Sequence, residues 1–172
     1  MPRGDAGMSG DAQPGPAEGI LGRLVTVWAL LGGGLLAGIV AVNLWAVIGG
    51  AVGIPFAGDF ELTEMGTAVA VFTFLPYCQL TRQNVTAEIF TARASPRAIA
   101  WLSAIGSALA LVFGAVLLWR MSAGLMDQQS YGYATTILQI PIWWAFVPIL
   151  VSLGMLCLAA IATLRDDFDV AR

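Results

Sequence analysis

Glu64 is the one acidic residue inside an apolar stretch of the sequence, where it could take part in ion or proton chemistry. Ionisable residues in such stretches are costly, and most are paired or functional. Glu64 lies near the start of its stretch, where an acid also suits the positive end of a helix dipole. We predict that it pairs with Arg120, which follows another apolar stretch. A proton or ion relay is the alternative, but below Glu64 a relay would have only Thr67, Thr73 and Tyr77.

Other side chains that carry chemistry are sparse. Asn43 is the only amide in the first apolar stretch, where we predict a hydrogen bond to another helix, with a substrate contact as the alternative. The chain has no His, which removes the usual haem ligand and the commonest zinc ligand. Cys78 and Cys157 lie in apolar runs and are expected to be packing residues. No catalytic constellation or metal-ligand cluster is recognisable, so we predict no enzyme activity, no cofactor and no metal.

The composition points to a membrane protein. Of 172 residues, 58% are hydrophobic and only 11% are charged, and the mean hydropathy is +0.81. Soluble domains carry about 25% charged residues, and a fold of this size leaves roughly a third of its unfolded surface exposed. A soluble enzyme is therefore excluded as the default. All eight basic residues are scattered arginines, which gives no electrostatic footprint for nucleic-acid binding.

Four apolar stretches are long enough to cross a membrane core about 30 Å thick, which takes about 20 residues. They predict an all-α integral membrane protein, a four-transmembrane-helix bundle, with spans at about 24–48, 62–80, 98–119 and 140–164. The membrane domain is expected over 20–165, between a flexible cytoplasmic N-terminal tail at 1–19 and a short cytoplasmic C-terminal tail at 166–172.

The arginines predict the orientation of the bundle. Seven of them fall on one side of this topology, and only Arg120 falls on the other. The positive-inside rule then places both termini and the 81–97 loop in the cytoplasm, which is an N-in, C-in arrangement. The six tryptophans lie near the predicted span ends, as in an interfacial aromatic belt.

Small residues recur at four-residue spacing in two of the spans, a pattern that permits close helix approach. These stripes are Gly34 and Gly38 in the first span, and Gly106, Ala110 and Gly114 in the third. We expect them to pack either inside the bundle or against another protein.

The membrane part also resembles a known family, over roughly residues 24–164. The second span opens with GDFELTEMG and has an acid at Glu64, as in the family. The next loop, FLPYCQLTRQNVTAEIF, has Arg82, Asn84 and Glu88 where the family has a basic residue, a His and an acid. The last span is entered through TTILQIPIWWAFVPILVSLG. Together these features resemble the small, DctQ-like membrane subunit of tripartite ATP-independent periplasmic (TRAP) transporters.

The resemblance implies partners and a location. A DctQ-like subunit lies in the bacterial inner membrane and scaffolds a large, ion-coupled permease subunit. A periplasmic solute-binding protein delivers a small solute, often an organic acid, to the outer face of both. On this basis the outer acids Asp59, Glu61 and Asp127 are candidate receptor-docking residues, together with Arg120. The loop motif of Arg82, Asn84 and Glu88 is either an ordered cytoplasmic loop or a contact to the large subunit or helix cap.

Two other functions remain open from the sequence. One is a four-span membrane anchor of an enzyme complex without haem ligands, since His is absent. The other is a small transporter that acts as a homo-oligomer. The second would require deeper polar residues or an internal repeat, and neither is seen in the sequence.

Overall fold

The computed structural model describes residues 19–54, 56–81 and 96–171, and its side chains are described at 101–168 of the last range. These residues form four α-helices, which are α1 (Ile20–Ala51), α2 (Asp59–Leu80), α3 (Pro96–Tyr131) and α4 (Trp143–Ala171). Within the described ranges, the one extended pairing is an isolated bridge between Ala134 and Pro141. The predicted all-helical fold is confirmed. The predicted N-terminal tail lies outside the described residues, except for Gly19.

Among the described residues, three helical segments are long and apolar enough to cross a membrane, and they are Ile20–Ala51, Trp101–Tyr131 and Trp143–Phe168. Helix α2, which the sequence predicts as the second of four spans, is not one of them. Its first turns hold Asp59, Glu61 and Glu64, and these carboxylates lower its hydropathy. The three strongly apolar helices therefore accompany a more polar fourth one.

Helix α2 lies between α1 and α4, and α4 lies between α2 and α3. Helices α1 and α2 run antiparallel, because Asn43 late in α1 contacts Thr63 early in α2, while Val25 early in α1 packs with Leu80 late in α2. The described parts of the first connection, 52–54 and 56–58, and the connection 132–142 consequently lie at one end of the bundle. We call this the hairpin end, and the other the opposite end.

Two apolar clusters hold the helices together. The first lies near the opposite end, where Val25 of α1, Leu80 of α2 and Ala159 of α4 are all buried. The second centres on Ile149, Leu153 and Leu156 of α4. Side chains of α2 and α3 pack against it, namely Val69, Phe72, Leu118 and Met121. Helix α4 is thus the central element of the core.

Helix α3 is longer than the span predicted at 98–119, because it continues to Tyr131. Residues 120–131 contain no proline, and most are residue types that favour helix, such as Met, Gln, Ala and Arg. The helix stops where Gly132 adopts a left-handed backbone conformation (φ 64°) and its N–H donates to the carbonyl of Gln128.

Helix α4 also differs from its predicted bounds. It begins at Trp143, because Pro141 pairs with Ala134 in the bridge instead of starting the helix. At its other end it runs through the expected tail 166–172 as far as Ala171. Tertiary contacts explain this extension, since Asp167 is buried against α3 and the Phe168 ring meets Trp101 edge-to-face at 6.2 Å.

The predicted small-residue stripes have different surroundings in the bundle. Gly114 faces α4, where an added Cβ would lie 3.1 Å from Cys157 Sγ. Gly34, Gly38 and Gly106 instead have open space where a Cβ would be. These three positions, on α1 and on α3, are therefore not packed by the described part of the chain.

The close approach of α1 to α2 depends on Gly32, which lies outside the predicted stripes. A Cβ at Gly32 would overlap the hydroxyl of Thr73. We expect Gly32→Val to destabilise the bundle by about 1–3 kcal/mol through overpacking. Gly33→Val is the matched control, because no atom lies within 4 Å of a Cβ there and the helix-propensity cost is the same. Thermal unfolding in detergent checks this, and equal midpoints for the two variants would contradict it.

Candidate functional site

The connection between α3 and α4 is a small β-hairpin, residues 132–142, at the hairpin end. The amide of Thr135 donates to the carbonyl of Ile140 at 2.9 Å, and the amide of Ile142 donates to Tyr133 at 3.0 Å. The Thr135 hydroxyl oxygen also accepts from the amide of Ile140 at 3.0 Å. These bonds fix the base of the hairpin and leave the amides of its tip, 136–139, to find other partners.

Glu61 of α2 supplies those partners. Its Oε1 accepts a hydrogen bond from the amide of Ile137 at 2.7 Å, and its Oε2 accepts one from the amide of Leu138 at 2.9 Å. Beneath this contact the Leu138 side chain packs on Gly58, whose φ of 125° also excludes most other residues. We call this arrangement, Glu61 with the two tip amides and Leu138 on Gly58, the carboxylate clamp.

The surroundings of Glu61 favour its ionised form. Desolvation by itself would raise the pKa of Glu61, but hydrogen bonds from the amides of Leu138 and Ile137 act against it. Further bonds from Thr135 and Thr136 act in the same direction, and together they hold the pKa below the ordinary value of a glutamate. Glu61 precedes the predicted span at 62–80, so water and protons can reach it.

The clamp should therefore loosen only in acid. Because the pKa of Glu61 is lowered in the folded state, its contribution to stability is complete above the ordinary glutamate pKa and disappears as the pH falls through the lowered value. We expect the hydrogen-exchange protection factors of Ile137 and Leu138 to fall over that interval. In Glu61→Gln the same two amides should be weakly protected at every pH. A wild-type profile that stays flat through this acid range would refute the clamp.

A set of polar side chains is buried at the opposite end, and its hydrogen bonds join three helices. Asp167 and Thr163 of α4 are each only 1% exposed, and Ser107 of α3 and Gln79 of α2 are also buried. Gln79 Nε2 donates to Thr163 Oγ1 at 3.1 Å, and the hydroxyls of Ser103 and Ser107 donate to Asp167 Oδ2 at 3.0 and 3.3 Å. We call these five residues the polar cluster.

The polar cluster was not predicted from the sequence. Gln79 lies at the very end of its apolar stretch, and Asp167 lies in what reads as a solvated tail. A usable signal was present, because Ser103 and Ser107 are four residues apart, as are Thr163 and Asp167. That spacing places each pair on one side of its helix. Two such pairs near the same end of adjacent spans indicate a shared polar contact.

We expect Thr163→Val to destabilise the bundle by roughly 1 kcal/mol, the scale of a hydrogen bond between helices in a membrane. The substitution keeps the shape of the side chain but removes the hydroxyl between Gln79 and Ser107. Thr67→Val is the matched control, because Thr67 is exposed on α2. Chemical unfolding of both variants in detergent micelles measures the difference, and an equal loss from both would show that the cluster contributes nothing.

Two further side-chain hydrogen bonds join neighbouring helices. Asn43 Nδ2 donates to Thr63 Oγ1 at 2.7 Å, which confirms the predicted bond from α1 to a neighbouring helix. Trp28 Nε1 donates to Ser152 Oγ of α4 at 2.9 Å. Trp28 was expected in the interfacial belt. Its indole N–H instead donates into the bundle, where Ser152 is buried.

The other predicted site residues are dispersed. Glu64 and Arg120 are both exposed, and in the part of the chain that the structure describes no ion pair or hydrogen bond joins them. Helix α4 separates α2 from α3 along most of their length, so the ion pair stays a prediction. Asp59 is half-buried and Asp127 is exposed, both towards the hairpin end. The loop residues Arg82, Asn84 and Glu88 lie outside the described residues.

An apolar groove of about 500 Å³ opens between α1, α2 and α4, in the half of the bundle nearer the hairpin end. Gly34 and Gly38 line it on α1, and Gly66 lines it on α2. Ile140 of the hairpin and Trp144 of α4 line its outer part. Its lining is almost wholly apolar, and among the described residues no group of three or more His, Cys, Asp or Glu converges on a common point.

Comparison with known proteins gives one match. A family model described as "Tripartite ATP-independent periplasmic transporters, DctQ component" matches residues 39–170. The match includes the end of α1 and the whole of α2, α3 and the hairpin, with nearly all of α4. Comparison with curated proteins and with solved structures found no match.

Proposed function

This chain belongs to the DctQ family, the small membrane component of TRAP transporters, and from that premise we propose that it is the scaffold on which the large ion-coupled permease subunit rests. It is a component of a transporter and not an enzyme. The observation that carries the proposal is the family match over residues 39–170, which takes in the carboxylate clamp and all five residues of the polar cluster.

We further propose that all four helices span the inner membrane, with both termini in the cytoplasm. Helix α2 has 22 residues and is about 33 Å long, enough for a hydrocarbon core about 30 Å thick. Its acids fall in the first two turns, at the hairpin end, where water is close. Deeper in the helix, its polar residues Thr73 and Gln79 are buried within the bundle. The seven-to-one arginine distribution supports the same orientation.

The side of α1 that carries Gly34 and Gly38 is the proposed contact to the large subunit. Both glycines are exposed and line the apolar groove, so a helix of a partner could approach the α1 backbone closely there. On α3 the exposed apolar side chains are bulky, with Leu109, Phe113 and Trp119 among them. Such a surface suits flexible lipid chains better than a close helix contact.

The hairpin end is the proposed meeting place with the solute-binding protein. The extension of α3 past Trp119 carries Arg120 and Asp127, both exposed, and Asp59 lies at the start of α2. Charges at the rim of such a contact steer the approach of a partner. The transported substrate is a small solute such as an organic acid, as the resemblance implies.

Affinity purification of the tagged chain from its native membranes in mild detergent tests the assembly. We expect a very hydrophobic protein of many spans to co-purify in a fixed ratio. Recovery of a homo-oligomer alone, or of a redox enzyme in place of a permease, would overturn the scaffold proposal.

The contact to the large subunit can be tested with bulky residues. We expect the double variant Gly34→Leu, Gly38→Leu to lose most of the co-purifying permease, because leucine side chains would hold a partner helix away from α1. Both sites are open in the chain itself, so the bundle should still fold. Gly106→Leu on α3, which is equally open, is the control and should retain the permease. The opposite pattern would place the contact on α3.

A further inference from the structure

We propose that Glu61 is a positioning residue, whose carboxylate clamp presents the hairpin 132–142 as the surface on which the soluble solute-binding protein docks. The inference rests on the proposed function and changes the role of one residue in it. As a direct contact, Glu61 would use its charge on the partner. As a clamp, it uses both oxygens on its own chain.

The geometry favours the clamp. Both carboxylate oxygens accept amides of the hairpin tip, at 2.7 and 2.9 Å, and so face the chain's own backbone. The bonds that join the two arms of the hairpin link residues 133–135 to 140–142, and within the tip the Gln139 side chain donates to the carbonyl of Thr136. Without Glu61 the tip would therefore keep the Leu138 contact on Gly58 and lose its only described hydrogen bonds to α2.

The clamp lies outside the apolar layer, where a soluble protein has access. Trp101 and Trp119 lie 18 positions apart on α3, about 27 Å, which is close to the thickness of the hydrocarbon core. Helix α3 continues for 12 residues beyond Trp119, about 18 Å more. Gln79 lies at the same height along the bundle as Ser107 of α3, because their side chains are hydrogen-bonded. Glu61 lies 18 positions nearer the hairpin end of α2 than Gln79. Glu61 is therefore level with a part of α3 that lies past Trp119.

The side chains of the hairpin are suited to the uncharged centre of a protein–protein interface. Residues 132–142 include no charged side chain. Ile137 at the tip and Tyr133 at the base are more than half exposed, and the Tyr133 ring lies 5.6 Å from that of Tyr131, which is also exposed. Tyrosine and large apolar side chains are common at the centres of protein interfaces, with charges at the rim. Asp59 and Asp127 occupy rim positions in this arrangement.

Binding of the purified solute-binding protein to the assembled transporter in nanodiscs tests the inference. The probe is the soluble protein that co-purifies with the wild-type complex. Glu61→Gln keeps the size of the side chain but places an NH2 donor against one of the two tip amides. Glu64→Gln is the matched control, an exposed acid on the same helix with no described bond to the hairpin. Ile137→Ser separates the surface from the clamp, because it changes the exposed side chain and keeps the amide that Glu61 accepts.

Glu61→Gln should raise the Kd of the solute-binding protein at least about fivefold, the equivalent of about 1 kcal/mol. It should also reduce amide protection at 137–138, while the amount of co-purifying permease stays the same. Ile137→Ser should weaken docking with protection intact, and Glu64→Gln should change neither. Unchanged docking in Glu61→Gln would overturn the inference, and so would loss of the permease. A wild-type complex that binds no solute-binding protein would instead refute the docking part of the proposed function.

Discussion

Every polar group that the bundle carries into the membrane must find its partner within the protein. Lipid offers no hydrogen bonds, and apolar contact between helices gains little over contact with lipid chains. Polar ties and close packing therefore decide how these helices fit together. The polar cluster of Gln79, Ser103, Ser107, Thr163 and Asp167 fixes α2, α3 and α4 at one end. Asn43 with Thr63 and the carboxylate clamp fix the other.

A bundle tied at both ends suits a static part of a transporter. The side chain–side chain hydrogen bonds described above join different helices, and below Glu64 the polar side chains Thr67, Thr73 and Gln79 of α2 are separated by apolar residues. Large apolar side chains on α1 and α3 are exposed along much of each helix. Lipid and a partner subunit can cover these surfaces without disturbing the ties. Movement is then left to the large subunit, as the proposed scaffold role requires.

The sequence predicted the helical fold, the family resemblance and the cross-helix bond of Asn43, because each depends on composition or local pattern. Helices α3 and α4 both continue past the ends of the predicted spans, at 119 and 164. No proline follows Trp119 until Pro141, and α4 is prolonged by contacts of Asp167 and Phe168 with α3. The sequence also assigned Glu61 to a partner. The bonds of Glu61 to residues 137 and 138, more than 70 positions away, cannot be read from local spacing.

The sequence by itself determined that this chain is a helical membrane component of a TRAP transporter, since apolar length and the order of its motifs are properties of the chain. The tertiary structure decided which polar residues meet. Packing α4 against α3 brings Asp167 beside two serines of α3 that lie 60 and 64 positions away in the chain. The physical reason is that hydrogen bonds form over about 3 Å. Only the packed bundle sets separations that small between residues far apart in the chain.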